Sequence, residues 1–162
     1  MIELVLVAPE IPGNTGAIIR LCANTGARLH LVEPLGFSLE TAQLRRAGLD
    51  YHDLANVMVW PTFAECRARL AASSNATQAS ASWYAATGRG SVRYSDVMFQ
   101  RDDVLVFGCE SRGLDDAVLD TFPIDHQIRI PMQPNNRSLN LANAAAVVAF
   151  EAWRQHDFAG GS

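Results

Sequence analysis

The stretch DVLVFGCESRGL, residues 103–114, decides the fold of this chain. Residues 103–107 are almost entirely apolar, which is typical of a strand buried on both faces in the middle of a parallel sheet. Directly after them the sequence turns to glycine and polar residues, with Glu110 and Arg112 between two glycines. Ligands bind at the carboxyl ends of strands in such sheets, so this turn is a candidate binding loop. The alternative is a tight turn closed by a Glu110–Arg112 pair, without a ligand.

Apolar strands alternate with helical patterns along the rest of the chain. Further strands are predicted at 2–8, 28–32, 57–60, 82–86 and 127–130. Helices are predicted at 14–25, 40–46, 63–70, 114–122 and 139–153. We expect the first helix to begin at a cap on Asn14 or Thr15 and the last at a cap on Ser138. This alternation predicts an α/β fold with a mostly parallel sheet covered by helices on both faces.

Length and composition indicate one globular domain over residues 1–162, without an appended RNA-binding domain. Apolar runs are too short to cross a membrane, and no signal peptide is expected. The cysteines (Cys22, Cys66, Cys109) lack CxxC spacing and the histidines lack metal-binding spacing, so we expect a cytoplasmic protein with reduced thiols and no metal. The net charge of −4 argues against a nonspecific nucleic-acid coat protein. All 13 basic residues are arginine, however, which suits focused phosphate binding.

A second candidate loop, PEIPGNTG (residues 9–16), follows the first predicted strand. Its glycines permit close backbone approach, and the helix that it begins offers free N–H groups to an anion. Arg20 and Asn24 are four residues apart and therefore share one face of that helix. The alternative interpretation is an ordinary capped helix with a solvated arginine.

A third candidate loop, IPMQPNNRSLNLAN (residues 130–143), leads into the last predicted helix. Residues 144–150 of that helix contain no polar side chain, so it must be buried within the domain or against another subunit. Asn140 and Asn143 lie near its positive end, and buried amides need hydrogen-bond partners. We expect a ligand or a second loop to supply these partners. The alternative is a helix cap together with amides buried in the core.

Together the three loops resemble, in order and spacing, the three motifs of the SPOUT methyltransferases. These motifs are NxxxxxR, GxExxG and SxN, and they fall on Asn14–Arg20, Gly108–Glu110–Gly113 and Ser138–Asn140. Longer stretches are similar to the small tRNA (cytidine/uridine-34) 2′-O-methyltransferases over nearly the whole chain. They are PEIPGNTGAIIRLCANTGARLHLVEP (9–34), LRRAGLDYH (44–52), FGCESRGL (107–114), RIPM (129–132) and RSLNLANA (137–144).

The resemblance implies a parallel α/β sheet whose C-terminal segment forms a trefoil knot, and a homodimer with each site near the subunit interface. The knot would hold S-adenosylmethionine, and the cofactor-binding residues would be Ala86, Gly108, Ile130 and Ser138. The reaction would move a methyl group to the ribose 2′-hydroxyl of the wobble nucleotide, position 34, of tRNA. The resemblance implies no metal.

Residue by residue, the resemblance assigns the chemistry to Arg20, Ser138, Asn140 and Glu110. Arg20 would align the ribose and its flanking phosphate and stabilise the charge that develops on oxygen. Ser138 and Asn140 would order the loop and the hydroxyl, and Glu110 would orient the loops. The tRNA anticodon stem-loop would be held by Asn14, Arg20, Arg45, Arg46 and Arg137.

Three other interpretations stay open on the sequence alone. A doubly wound protein could bind NAD or a phosphorylated ligand, although the glycine-rich fingerprint after the first strand is missing. The same methyltransferase fold could act on another RNA, such as ribosomal RNA. A noncatalytic RNA-binding module would need the arginines but no buried cofactor pocket. Titration with S-adenosylmethionine separates a methyltransferase from the first and the third of these.

Overall fold

The computed structural model of the chain describes residues 2–39, 57–73, 81–136 and 138–162. Within these ranges a single sheet of parallel strands runs in the order β3-β2-β1-β6-β4-β7-β5. The six predicted strands are all present, and the seventh, β5, was missed because two residues are too few to show a pattern. The strands are β1 (Glu3–Val7), β2 (Arg28–Val32), β3 (Val57–Trp60), β4 (Trp83–Ala86), β5 (Val92–Arg93), β6 (Val104–Phe107) and β7 (Gln127–Arg129).

The helices of the described ranges are α1 (Pro12–Thr25), α2 (Phe63–Ser73), α3 (Asp116–Leu119) and α4 (Leu141–Arg154). Two short 3-10 helices, Tyr94–Asp96 and Ile124–His126, complete them. The helix predicted at 114–122 is thus a single turn, α3, capped by the side chain of Asp115. The helix predicted at 40–46 lies outside the described residues. None of the helices described is long and apolar enough to cross a membrane.

The first helix begins two residues earlier than its sequence suggests. α1 starts at Pro12 with Ile11 in the N-cap position, so the predicted cap on Asn14 or Thr15 is wrong. Proline suits the first turn of a helix because the N–H that it lacks would have no intrahelical partner there. Asn14 is instead a residue of the first turn, and its side chain is available for contacts outside the helix.

The last helix is capped by Asn140, so the predicted cap on Ser138 is wrong. The Oδ1 atom of Asn140 accepts hydrogen bonds from the backbone N–H groups of Ala142, at 2.9 Å, and Asn143, at 3.3 Å. These are two of the N–H groups that the first turn of a helix leaves without an intrahelical partner. The asparagine of the SxN motif, Asn140, is therefore the N-cap of α4, and Ser138 lies two residues before this cap.

Helices cover both faces of the sheet, as predicted. Leu4 and Leu6 of β1 belong to a core that includes side chains of α1 and α4, whereas Val5 between them belongs to a core with Cys66 of α2 and Leu119 of α3. This alternation follows from the period of two along a strand. Both cores are buried, so β1 is apolar without interruption from Leu4 onwards.

α4 is buried on one side only within this domain. The prediction that it is buried within the domain or against another subunit is therefore only partly met by the domain itself. Ala145 and Val148 are fully buried against the sheet and α1, whereas Val147 and Phe150 are 37% and 44% exposed. The domain alone therefore leaves an apolar surface on this helix. Burial against another subunit stays a prediction for this exposed side.

The register of the central strands places their carboxyl ends at one edge of the sheet. Phe107 of β6 pairs with Leu6 of β1 and with Ala86 of β4, and Ala86 pairs with Ile128 of β7. The chain segments that follow β1, β4, β6 and β7 therefore leave the sheet together. Three of these segments are the candidate loops of the sequence.

Candidate active site

A cleft of about 720 Å³ lies where these segments meet. This volume is within the usual range for small-molecule sites in proteins. The four residues predicted to bind a cofactor, Ala86, Gly108, Ile130 and Ser138, all line it. Ala86 and Gly108 are at or directly after the ends of neighbouring strands, which is where ligands bind in parallel α/β sheets.

Gly108 is required by the close approach of two backbone segments. A Cβ atom on residue 108 would lie 2.0 Å from the carbonyl carbon of Gly113 and 2.1 Å from the backbone nitrogen of Leu114. Gly113 itself has a positive φ of 73°, and its N–H donates to the carbonyl oxygen of Cys109 at 2.9 Å. The two glycines of the GxExxG pattern thus close a compact turn, and the residues of this turn form part of the cleft wall.

The side chain of Glu110 joins this turn to the first loop. Its carboxylate accepts hydrogen bonds from the backbone N–H groups of Glu10, at 2.7 Å, and Ile11, at 3.2 Å, and from Nδ2 of Asn14, at 2.9 Å. A carboxylate can accept all three donors because it has only acceptor sites. The Glu110–Arg112 pair of the alternative interpretation is not formed. Glu110 therefore joins the turn after β6 to the first loop through three hydrogen bonds.

Asn14 continues the connection to the third loop. Its Oδ1 atom accepts a hydrogen bond from Nδ2 of Asn140 at 2.8 Å. This hydrogen bond joins two residues that are 126 positions apart in the sequence, and the Oδ1 atom of Asn140 caps α4. The partner expected for the amide of Asn140 is therefore a residue of the first loop. One chain of hydrogen bonds, Glu110–Asn14–Asn140, links the three motifs.

A second connection between the first two loops involves Glu10, which sequence reasoning missed. Its Oε2 atom accepts from the backbone N–H of Ser111 at 3.0 Å, and its Oε1 atom accepts from the Ser111 hydroxyl at 2.7 Å. These bonds, first from the hydroxyl and then from the backbone, lower the pKa of Glu10 below its ordinary value, and the nearby Arg112 guanidinium acts in the same direction. Glu10 of the first loop thus accepts a hydrogen bond from the backbone of the turn after β6, and Glu110 of that turn accepts hydrogen bonds from the backbone of the first loop. No local pattern signals this pairing, because its partners are 101 residues apart.

Arg20 is the predicted site residue that the structure leaves outside the cleft. It is exposed on α1, six residues after Asn14, and is not among the cleft-lining residues that the structure describes. The other arginines predicted to hold RNA, Arg45, Arg46 and Arg137, lie outside the described residues. Among the described residues, the cleft therefore unites the four residues predicted to bind the cofactor with Asn14, Glu110 and Asn140, and Arg20 lies outside it.

The interior of the cleft fits a nucleoside bound between apolar side chains and backbone. Its polar groups are mainly those of the turns that follow β4 and β6, including Thr87 and Gly88. A Cβ atom on Gly88 would meet nothing within 4 Å, so this turn leaves open space. Among the described residues there is no group of three or more His, Cys, Asp or Glu side chains that could hold a metal. Apolar residues of the cleft wall include Leu114, Ile128, Ile130, Leu139, Leu141 and Val148.

Comparison with known proteins gives consistent results over the whole chain. A tRNA (cytidine(34)-2′-O)-methyltransferase from Methylovorus glucosotrophus is 58% identical over 160 residues, which cover 99% of each chain. A solved structure that gives insight into the 2-OH methylation of C/U34 on tRNA superposes with a TM-score of 0.85 at 41% identity, and 97% of each chain is covered.

A more distant solved structure is the SpoU methyltransferase AviRb from Streptomyces viridochromogenes, in complex with AdoMet. It has a TM-score of 0.82 and is 26% identical, and the match covers 99% of this chain and 58% of that one. The sequence profile of the SpoU rRNA Methylase family matches residues 1–150. The resemblance that the three motifs indicated is confirmed: this chain belongs to the SpoU methylase family.

Proposed function

We propose that this protein transfers a methyl group from S-adenosylmethionine to the ribose 2′-hydroxyl of nucleotide 34, a cytidine or modified uridine, in tRNA. The observation that carries the proposal is the hydrogen-bonded chain Glu110–Asn14–Asn140, which assembles three loops around one cleft. The relatives that bear this function in their names match the chain from end to end.

The cofactor would lie in the cleft of about 720 Å³. S-adenosylmethionine supplies an electrophilic methyl group when it is bound. Gly108 and Ala86 offer backbone groups and little bulk, which suits a flat adenine against main chain. Ile130 adds an apolar side chain to the wall, and Ser138 adds a hydroxyl from the third loop. Apolar side chains on the wall exclude water from the nucleoside.

The ribose hydroxyl would be aligned by Arg20 and Asn140. A hydroxyl is a weak nucleophile until its proton is shared or removed. Because a guanidinium stays protonated, Arg20 is suited to stabilise negative charge on oxygen and to hold the flanking phosphate rather than to accept the proton. Ser138 and Asn140 would order the third loop around the hydroxyl. Glu110 would act through the loops that it joins, as a positioning residue.

The RNA substrate would be the anticodon stem-loop. Asn14 and Arg20 would contact it from the first loop and α1, and Arg45, Arg46 and Arg137 would bind its phosphates. Arginine suits this task because its planar guanidinium binds a phosphate through two parallel hydrogen bonds. Focused binding of this kind is compatible with the net charge of −4.

The active unit would be a homodimer of single-domain subunits, each with the C-terminal trefoil knot that the family implies. The exposed apolar side of α4, with Val147 and Phe150, supports an interface on this helix. The protein would act in the cytoplasm, which agrees with three free cysteines. Burial raises the pKa of Cys22 and Cys66 to about 12, so neither thiol is poised to react.

Two measurements test this function. Isothermal titration with S-adenosylmethionine should show binding, whereas binding of NAD alone would favour a doubly wound nucleotide-binding protein. Nucleoside mass spectrometry of total tRNA from a strain that lacks the protein should show the loss of 2′-O-methylated nucleosides. If the loss occurs in ribosomal RNA instead, the fold is used on another substrate; if no methyl group is lost, the protein is not a methyltransferase in the cell.

A further inference from the structure

Three arginines line the cleft in a chain whose net charge is −4. They are Arg89, Arg112 and Arg129, and the other charged residue among the described lining is Glu110. The carboxylate of Glu110 is already bonded to three donors. Three of the four charged side chains among the described lining are therefore cationic, although the protein as a whole is acidic.

Two of these arginines already have protein partners. Nη1 of Arg129 donates to the carbonyl oxygens of Gly90, at 2.9 Å, and Ser91, at 3.2 Å, so it supports the turn after β4. Arg89 forms an ion pair with Asp116 at 2.7 Å, but both side chains are exposed, by 68% and 78%. Exposed ion pairs of this kind contribute little to stability, so Arg89 can exchange Asp116 for a stronger anion.

Arg112 differs from both. It is exposed, and it makes no hydrogen bond or ion pair with any residue that the structure describes. Its backbone, in contrast, is fixed on both sides. Ser111 is bonded to Glu10 through N–H and hydroxyl, and Gly113 closes the turn onto Cys109. The Arg112 guanidinium is near the Glu10 carboxylate, but it forms no hydrogen bond or ion pair with the described residues, and it is carried on a rigid turn at the end of the central strand. Ligand-binding groups are commonly presented in this way.

We propose that Arg112, together with Arg89, forms a phosphate-binding rim that holds the RNA backbone beside the nucleotide whose ribose enters the cleft. This inference rests on the proposed function. A phosphodiester flanks every ribose of the substrate, and a guanidinium binds it through two parallel bonds. Arg89 follows β4 and Arg112 follows β6, which are neighbours in the sheet, so both can reach one strand of RNA.

The rim is distinct from the cofactor residues. The cofactor is expected to bind through the backbone of Gly108 and Ile130 and the apolar wall, whereas Arg112 is exposed at the tip of its turn. The carboxylate of S-adenosylmethionine is the other anion that could bind Arg112. These two anions can be separated, because one belongs to the RNA and the other to the cofactor.

The test compares three variants with the wild type. Arg112→Ala removes the proposed contact, Arg112→Lys keeps the charge, and Arg101→Ala removes an exposed arginine just before β6, at the opposite edge of the sheet. We measure the dissociation constant for unmodified tRNA at several salt concentrations, and that for S-adenosylmethionine. Arg112→Ala should bind tRNA about tenfold more weakly, with the log–log salt slope reduced by about 0.7 to 0.9, and Arg112→Lys should restore the slope.

Affinity for S-adenosylmethionine should be the same in all four proteins. The inference is overturned if Arg112→Ala behaves like Arg101→Ala towards tRNA while the wild type binds both ligands. It is also overturned if Arg112→Ala loses affinity for S-adenosylmethionine rather than for tRNA, because the residue would then bind the cofactor carboxylate. A wild type that binds neither ligand would instead contradict the proposed function itself.

Discussion

The carboxylate of Glu10 accepts both hydrogen bonds that Ser111 can donate, from its backbone N–H at 3.0 Å and from its hydroxyl at 2.7 Å. In the opposite direction, Glu110, next to Ser111, accepts hydrogen bonds from the backbone N–H groups of Glu10 and Ile11. The loops after β1 and β6 are thus bonded to each other in both directions. Because these loops form two sides of the cleft, its shape depends on carboxylates that need not touch a ligand.

Glu110→Gln tests the hydrogen bonds that Glu110 accepts from the first loop. The amide keeps one acceptor oxygen but presents an N–H donor to a site that contains three donors, so at least one of them loses its partner. We expect a loss of about 1 to 3 kcal/mol in the free energy of unfolding and a weaker affinity for S-adenosylmethionine. Urea denaturation and isothermal titration measure the two effects.

Asp120→Asn is the matched control for Glu110→Gln, because Asp120 is an exposed carboxylate at the end of α3, outside the cleft. It should change neither stability nor affinity. If Glu110→Gln is as stable as this control and binds the cofactor equally well, the loops do not depend on Glu110.

Ser111→Ala tests the hydrogen bond between the Ser111 hydroxyl and Glu10 through the pH dependence of the free energy of unfolding. The Ser111 hydroxyl is the largest cause of the lowered pKa of Glu10, whose ordinary value is 4.5. A lowered folded-state pKa stabilises the fold above the unfolded value, and this contribution is lost as the pH falls through the folded value. Ser111→Ala should therefore be less stable than the wild type above about pH 4.5, and the difference should shrink at lower pH. Urea denaturation of both proteins over this pH range measures the difference in the free energy of unfolding. A difference that does not vary with pH would contradict this prediction.

Asn140→Ala and Ser138→Ala distinguish the observed cap of α4 from the predicted one. Asn140→Ala removes the cap of two backbone N–H groups and the bond to Asn14, so the free energy of unfolding should fall by about 1 to 2 kcal/mol. Ser138→Ala should leave stability nearly unchanged, since Ser138 precedes the helix and is exposed. Equal losses in urea denaturation of both variants would mean that the cap is shared.

Phe150→Glu tests the proposed dimer. Phe150 is 44% exposed on α4, and a charge there would be buried without a partner in an interface. The variant should be monomeric at micromolar concentration, whereas the wild type should be a dimer by light scattering. Ile124→Glu is the matched control, because Ile124 is 66% exposed in the 3-10 helix before β7 and is not part of α4. A wild type that is monomeric, or a Phe150→Glu variant that remains a dimer, contradicts an interface on this helix.

Local patterns predicted the parallel sheet well because its strands are apolar runs with two buried faces. The same patterns misplaced both helix caps, for a reason that lies in tertiary structure. Asn14 is a good capping residue by type, but its amide is used between Glu110 and Asn140, and Pro12 begins the helix instead. The loops were recognised as one site from their order, whereas the contacts that hold them join residues about 100 positions apart, which local patterns do not encode.

The position of the methyl group in tRNA is the most direct test of the proposed function. Unmodified tRNA is incubated with S-adenosylmethionine and either the wild type or Arg20→Ala, then digested and analysed by mass spectrometry. The wild type should place one methyl group on the 2′-oxygen of nucleotide 34. Arg20→Ala should place none, although it binds S-adenosylmethionine within a few-fold of the wild type. A methyl group on a base or at another position, or no transfer by a wild type that binds the cofactor, would contradict the proposed function.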